Sequence, residues 1–590
     1  MPESNQAQRT DSFDRKLELI KAAHQKGQYH LVRALADSLR STAIQEAQQL
    51  ADPGSPFLAA SSHRETASLP VAWRQWATGW AYYKTFALEE TIGKNHPFQP
   101  IELRVAFPAS QIASPAREVR LARVEGNTLR EVPSQVHAEV ARGSEQHCKL
   151  LFLTGSPANT RTRYVIFYGN PDAELPAYPT DLITNGEGFG LDIENDFYKA
   201  RLSRQMGQLE RLTFKRRHGL ELFAGGEGHG EPPGIDWAHD YVSSGNFQKL
   251  RITLWERCPD YEVTRGPLCT IVRRWGFPYS PVHPVYSPAR IHFDVEYRFF
   301  SGMPWFLKTS RIDALQTTEV DALRDDEWVF SGQSFTDILW MGVDGQLHTG
   351  QVPEAQRENL WGVGFMSRES RDAFVALYLE HRGENLPPLK HGGAPLFYYE
   401  WHGRVWSRYP LPVKTVPAGA VLHQKNAYVA AHYTEQGGEE MIETLRHCLV
   451  NPLQPVAAGL PALDDAVATG RLARPGEAGD SPISKKALWD ALRDCKDEQL
   501  YRADISVVDL GLVYDIEVRN GDTVVVTMTM PHRGRPLLGF FTYGSGGNTM
   551  PVRTRLLKVP GVRKVVVNQT WYPEWSSNRL TAEGRAKLGL

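Results

Sequence analysis

"IHFDVEYRFFSGMPWFLKTSRID" (residues 291–313) reads as two β-strands, one ending at Phe300 and the next opening at Trp305. Strand-like segments continue on both sides. "FGLDIENDFYKARLS" and "QLERLTFKR" flank Gly207 as a hairpin, and "AFVALYLEH" and "GAVLHQKNAYVAAH" follow. Few convincing helices interrupt them before about residue 437, where "GGEEMIETLRHCL" predicts one. Residues 181–454 therefore predict a large sandwich of two packed sheets.

Outward from this block the texture changes. Upstream, "IELRVAFP", "REVRLARVEG" and "RYVIFYGNP" are short alternating segments separated by turn residues, enough for a small β-sandwich over 97–180. Residues 1–50 form a helical arm. Phe13, Leu17 and Ile20, then Leu31, Leu35 and Leu39, follow helical spacing, with Gly27 as the break between two helices. Residues 51–96 combine a polar linker with "VAWRQWATGWAYYKTFALEE", an aromatic segment suited to docking. Downstream, 455–483 is rich in Ala, Gly and Pro and reads as a tether. Residues 484–590 give a helix, "SKKALWDALRDCK", a hairpin turning at Asn520-Gly521, and another strand, "VRKVVVNQTW", which make a small α+β domain.

Bulk properties narrow the function classes. A chain of 590 residues is too long for one core, and 41% hydrophobic with 23% charged residues suits folded domains. The net charge of −2, without a long basic stripe, gives a nucleic-acid partner no electrostatic support. Five scattered cysteines (Cys148, Cys258, Cys269, Cys448, Cys495) include no C-x-x-C pair, so no zinc knuckle or disulfide framework is expected. The polar start and the lack of 18 consecutive apolar residues predict a cytoplasmic protein without membrane contact.

Two resemblances extend this reading. "ALWDALRDCKDEQL", "ISVVDLGLVYDIEV", "VTMTM" and "VPGVRKVVVNQTWYPEWSSNRLTAEGRAKLGL" occur in the order of the MIP18/DUF59 family, so residues 484–590 resemble the PaaD- and SufT-like iron–sulfur assembly factors. The Cys-Pro pair of that family aligns with Arg535-Pro536. The thiol is missing, and Cys495, in the first helix, is no evident substitute. "LDIENDFYKARLSRQMGQLERLTFKRRHGLELF" and residues 291–313 resemble the galactose-mutarotase-like super-sandwich of mutarotases and of some polysaccharide lyases and glycosidases. The leading small sandwich is similar to that of YetA-like, lyase-related proteins. The expected fold class is multidomain and mainly β: a helical N-terminal arm, a small β-sandwich, a large mutarotase-like β-super-sandwich and a C-terminal α+β MIP18/DUF59-like domain.

Two loop regions concentrate chemistry. Residues 225–246 carry His229, Glu231, Asp236, His239, Asp240 and Tyr241, the ingredients of acid/base work or of a divalent metal site at His229 and His239. Residues 389–411 carry Tyr398, Tyr399, Glu400, Trp401, His402, Arg404, Trp406, Arg408 and Tyr409. Alternation along one strand sets Tyr399, Trp401 and Gly403 on one face and Tyr398, Glu400 and His402 on the other. Such aromatic platforms suit a polar ring ligand, although a plain aromatic core strand has the same pattern. His283 sits in a Pro/aromatic loop, and Asp325, Asp326 and Glu327 read as a solvated turn.

The favoured function is a lyase acting on a carbohydrate-like or other polar ring substrate, either a small molecule or an oligosaccharide. His239 or His402 would be the base and Tyr241 or Tyr399 the acid. Arg404 or Arg408 would neutralise a carboxylate, while Trp401 and Tyr409 bind the ring. A hydrolase would pair Asp236 with Glu400, and an epimerase would need one His and one carboxylate. The rival classes are a non-catalytic adaptor in iron–sulfur or oxygenase service and a metal-dependent enzyme of aromatic catabolism. Arg535 is expected to serve docking or to help hold an anionic substrate, and the helical arm to support a homo-oligomer.

Overall fold

The computed structural model describes residues 16–459 and 483–589 except 52–56, 60–61, 126–127, 225–233, 238–239, 244–247, 256–258, 280–290, 320–321, 332–334, 390–395, 400–402, 409–410, 412, 435–436, 498–499, 501–502, 520–521, 532–541, 545–549 and 570–574. The chain forms two units. One comprises 1–184, 193–201 and 208–475; the other comprises 185–192, 202–207 and 476–590. The architecture is mainly β and multidomain, as the strand patterns predict.

In the first unit, helix covers 16–25 and Tyr29–Ala51, and Gly27 between them adopts φ +68°. No helix among the described residues is long and apolar enough to cross a membrane. Two sheets then face each other over Leu103, Val105, Leu121, Leu150, Phe152 and Ile166. One runs in the order Phe57–Leu58, His96–Pro108, Glu145–Ser156, Ser134–Arg142. The other runs Arg64–Glu65, Tyr82–Glu89, Arg161–Tyr168, Arg120–Glu125, Thr128–Val132. The aromatic segment read as a docking element supplies helix Val71–Trp76 and the strand Tyr82–Glu89, and Gln454–Ala457 pairs with that strand. Trp73, Trp76 and Trp80 are buried against the outer side of this sheet with Phe167.

A nine-stranded sheet dominates the centre. Its order is Asp260–Arg265, Cys269–Gly276, Ile291–Phe300, Trp305–Ala314, Val421–His432, Asp372–Glu384, Gly362–Met366, Asp337–Met341, Leu347–Thr349, and every neighbouring pair is antiparallel. Residues 291–313 form adjacent strands in this sheet, Phe299 opposite Phe306. Period-two alternation gives each strand two faces. The outward face, with Trp305, Leu307, Leu339, Val375, Leu377 and Val429, packs on Leu151 and Leu153 and on Ile442 and Leu445 of helix Gly438–Val450. Arg298 adds an ion pair to Glu102 at 2.7 Å, tying the small sandwich to the same side. The inward face bears the candidate site.

In the second unit, Val513–Arg519 and Thr523–Met528 form an antiparallel hairpin, and Lys564–Gln569 pairs parallel to the latter. Helix Val552–Leu556 lies on the connection between the two parallel strands. Leu488, Leu492, Val507, Leu512, Val526, Leu556 and Val567 build the core.

Candidate active site

The inward face of the nine-stranded sheet carries a polar belt between two apolar zones. Cross-strand pairing sets Tyr297, Lys308, Asn426 and Tyr378 in one row. Arg274, opposite Val295, then Ser310, Gln424 and His381 form the next row on the same face. Beyond one row lie Phe293, Ile312 and Leu422; beyond the other, Phe299, Phe306 and Tyr428 stack with Phe374.

A three-stranded sheet of Asp326–Phe330, Gly403–Arg408 and Leu396–Tyr399 closes over this belt. Its register pairs Asp326 with Arg408 and Trp328 with Trp406, and a bridge adds Asp236 beside Trp328. Paired residues share a face, and the Trp328 ring lies 4.5 Å from that of Tyr428, so this face meets the belt.

The charges meet there. Lys308 Nζ donates to Asp236 Oδ1 at 2.8 Å and Oδ2 at 2.6 Å, and the Tyr297 hydroxyl donates to the same carboxylate. Arg274 lies over the Tyr297 ring, 5.3 Å from its centroid. Asp326 accepts from Trp328 Nε1 at 2.8 Å, Trp406 Nε1 at 3.0 Å and Tyr428 Oη at 2.5 Å. Arg408 Nη1 donates to Asp325 Oδ2 at 2.9 Å and lies 3.1 Å from His381 Nε2, while His381 Nδ1 is 3.8 Å from that same carboxylate oxygen. Three buried carboxylates (Asp236, Asp325, Asp326) thus face three buried cations (Arg274, Lys308, Arg408). Burying even one such ion costs several kcal/mol, so pairing of this kind is needed for the fold to tolerate it.

Burial sets the proton affinities. It pushes the Asp325 carboxyl up to about 6, against the pull of Arg408. It also raises Asp326, with Lys308 opposing. Burial holds the hydroxyls of Tyr297, Tyr378 and Tyr428 well above the ordinary phenol value, with carboxylates nearby acting in the same sense. These phenols are proton donors at neutral pH.

Of the residues singled out in the sequence, Asp236, Trp406 and Arg408 belong to this network, together with Asp325 and Asp326 of the acidic run. Arg404, half-buried on the same strand as Arg408, donates through Nε to the Phe335 carbonyl at 3.5 Å. Tyr241 lies in strand Asp240–Ser243, opposite Leu250 and Leu323. Tyr399 ends its strand opposite Gly403. His229, His239, His283, Trp401, His402, Tyr409 and Arg535 lie outside the described residues.

Two expectations are corrected. Asp325, Asp326 and Glu327 are no solvated turn: they are 4%, 0% and 3% exposed, and Glu327 accepts from Ser407 Oγ on the far face of the small sheet. Trp406, Ser407, Arg408 and Tyr428, which hold these carboxylates, stand 80 to 102 positions along the chain, where local charge patterning cannot see them. Nor does one strand run through 398–403. Tyr399 closes one strand and Gly403, at a φ of +80° that suits glycine, opens its antiparallel partner, so alternation does not carry across.

Sequence reasoning missed Lys308, Tyr297, Arg274, Tyr428 and His381. The only available signal was an ionisable group in strands otherwise rich in aromatic and aliphatic residues, as in "WFLKTSRID".

Among the described residues, no group of three or more His, Cys, Asp or Glu is arranged to hold a metal ion. In the second unit, Cys495 is fully buried in the core, and burial pushes its thiol up to about 12. It stays a protonated core side chain at neutral pH.

No family model matches the chain. An Fe–S protein maturation auxiliary factor of Porphyromonas gingivalis is 32% identical over 86 residues, 15% of this chain and 75% of that protein. A solved DUF59 domain from Bacillus anthracis is 30% identical and aligns with 18% of this chain and 92% of its own length, at a TM-score of 0.15. An α-mannosidase from Enterococcus faecalis V583 aligns with 75% of this chain and 51% of its own length, at 10% identity and a TM-score of 0.42. That likeness is too slight to speak to activity. Through a segment the size of its C-terminal domain, the chain belongs to the family of the Fe–S protein maturation auxiliary factors.

Proposed function

We propose that the central sandwich is an acid–base enzyme for a carbohydrate-like polar ring substrate, and more narrowly a lyase, with the C-terminal domain as an accessory module. The carrying observation is the buried group of Asp325, Arg408 and His381 at the edge of a charge-balanced belt. A carboxyl near 6 can take and return a proton close to neutral pH. In an elimination, Asp325 would accept the proton α to a substrate carboxylate. A belt tyrosine would protonate the leaving oxygen as its bond to carbon breaks. The guanidinium of Arg274 or Arg408 would offset charge building on the substrate carboxylate.

The test is Asp325→Asn in the full chain, assayed on a panel of uronosides for the absorbance of an unsaturated product. Wild-type turnover should rise as pH increases through about 6, because the base works ionised. The variant should lose ~10²-fold or more of kcat with the fold retained by circular dichroism. Undiminished turnover in the variant would sink the assignment.

Family membership of the C-terminal domain favours a second reading, an adaptor in Fe–S maturation. Buried Cys495 supports service to a partner over direct cluster handling. Stoichiometric iron on the anaerobically purified chain would count against that form of it.

A further inference from the structure

Gln424 is 5% exposed, and its Oε1 accepts from Ser310 Oγ at 2.9 Å. Its Nε2 has no hydrogen-bond partner among the described residues. Gln424 is the register partner of His381, so both side chains leave the same face of the sheet. His381 Nδ1 likewise has no hydrogen bond, its nearest carboxylate oxygen being Asp325 Oδ2 at 3.8 Å. The second oxygen of Asp325 is also without a partner. Buried polar groups are almost always paired, so three orphaned atoms, two on register partners and one on the carboxylate beside His381, point to an occupant. Its chemistry follows from theirs. One amide donor, one carboxylate acceptor and one ring nitrogen ask for small groups that both accept and donate. Asp325 already answers a cation, so the remaining demand is for neutral hydroxyls and not for an ion. The adjoining apolar residues Phe293, Ile312 and Leu422 suit the C–H face of a ring.

We infer that Gln424, His381 and Asp325 read two neighbouring hydroxyl groups on the ring of the substrate. In this arrangement Gln424 Nε2 donates to one hydroxyl oxygen, and the free Asp325 oxygen accepts from the other. The inference rests on the acid–base reading for the identity of its ligand and adds a specificity role for Gln424, which takes no part in proton transfer.

The test titrates the full chain by tryptophan fluorescence with methyl pyranosides of gluco, galacto and manno configuration and their monodeoxy analogues. Wild type should bind at least one parent glycoside about tenfold more tightly than one of its monodeoxy forms, the worth of a lost hydrogen bond. Gln424→Leu should bind that parent about tenfold more weakly and no longer distinguish it from the deoxy form. Gln424→Glu, which keeps the side-chain volume but removes the donor, should do the same, so one folded variant suffices. In turnover, either change should raise KM with little effect on kcat. The inference is overturned if wild type binds none of the glycosides or does not distinguish the deoxy forms. A variant that keeps the wild-type discrimination also overturns it, because a bound water then satisfies these atoms. Discrimination without turnover would sustain the inference and remove the acid–base reading; turnover without discrimination would do the reverse.

Discussion

Asp325 in the central sandwich and Asp509 in the C-terminal domain are both buried aspartates held by an arginine, at 2.9 Å from Arg408 and 2.7 Å from Arg493. Their protons respond in opposite directions. Burial acts on both, but at Asp509 it is outweighed by hydrogen bonds from Ser506, Arg493 and Thr581, and the carboxyl falls below its ordinary value. At Asp325 one oxygen lacks a donor, burial prevails, and the carboxyl rises to about 6. The contrast separates two uses of a buried charge. A carboxylate with its lone pairs filled holds a fold together, and one left partly unfilled is ready for a proton or a ligand.

The strongest way to break this comparison lies in the belt beside Asp325. Lys308→Met should strand the Asp236 carboxylate, whose bidentate partner it is, and cost about 3–5 kcal/mol in urea unfolding. A loss within experimental error would mean that the belt is open to water.

The pH dependence sharpens the comparison directly. The folded value of Asp325 lies above the unfolded value of 3.8, so folding favours its protonated form. The penalty it carries is absent below about 3.8, grows as pH rises, and is complete above about 6, at about 3 kcal/mol. Asp325→Asn should therefore look most damaging near pH 4 and least damaging near pH 7. Asp509 obeys the opposite sign. Its folded value is depressed, so its stabilisation is present above the unfolded value and fades as pH falls through the folded one. Asp509→Asn should cost most at neutral pH, with the deficit closing in acid. Denaturant midpoints at four or five pH values check both, and parallel profiles for the two variants would erase the distinction.

The smallest effect concerns the thiol. Cys495, buried and protonated, should resist iodoacetamide at pH 7.5 in the native protein and react once urea unfolds the domain. Rapid native alkylation would return it to consideration as a ligand. Cys495→Ala should lower stability by only ~1 kcal/mol.

Much of the fold was legible from residue order. Gly27 ends one helix because glycine alone enters the left-handed region without strain, and "GGEEMIETLRHCL" forms helix Gly438–Val450. Residues 291–313 became adjacent strands because short-range alternation and one turn suffice to pair them. Asp236 and Arg408 were visible as polar residues beside loops. Asp325 and Asp326 were misplaced because adjacent acids in a loop look alike whether solvated or buried.

The sequence alone determined the C-terminal family, the β character of the centre and the breaks between segments, since each is written in neighbouring residues. The tertiary structure alone decided the belt. Whether Lys308 faces water or Asp236 depends on strands more than seventy residues apart meeting across two sheets, and only that meeting turns scattered charges into a shared low-dielectric site.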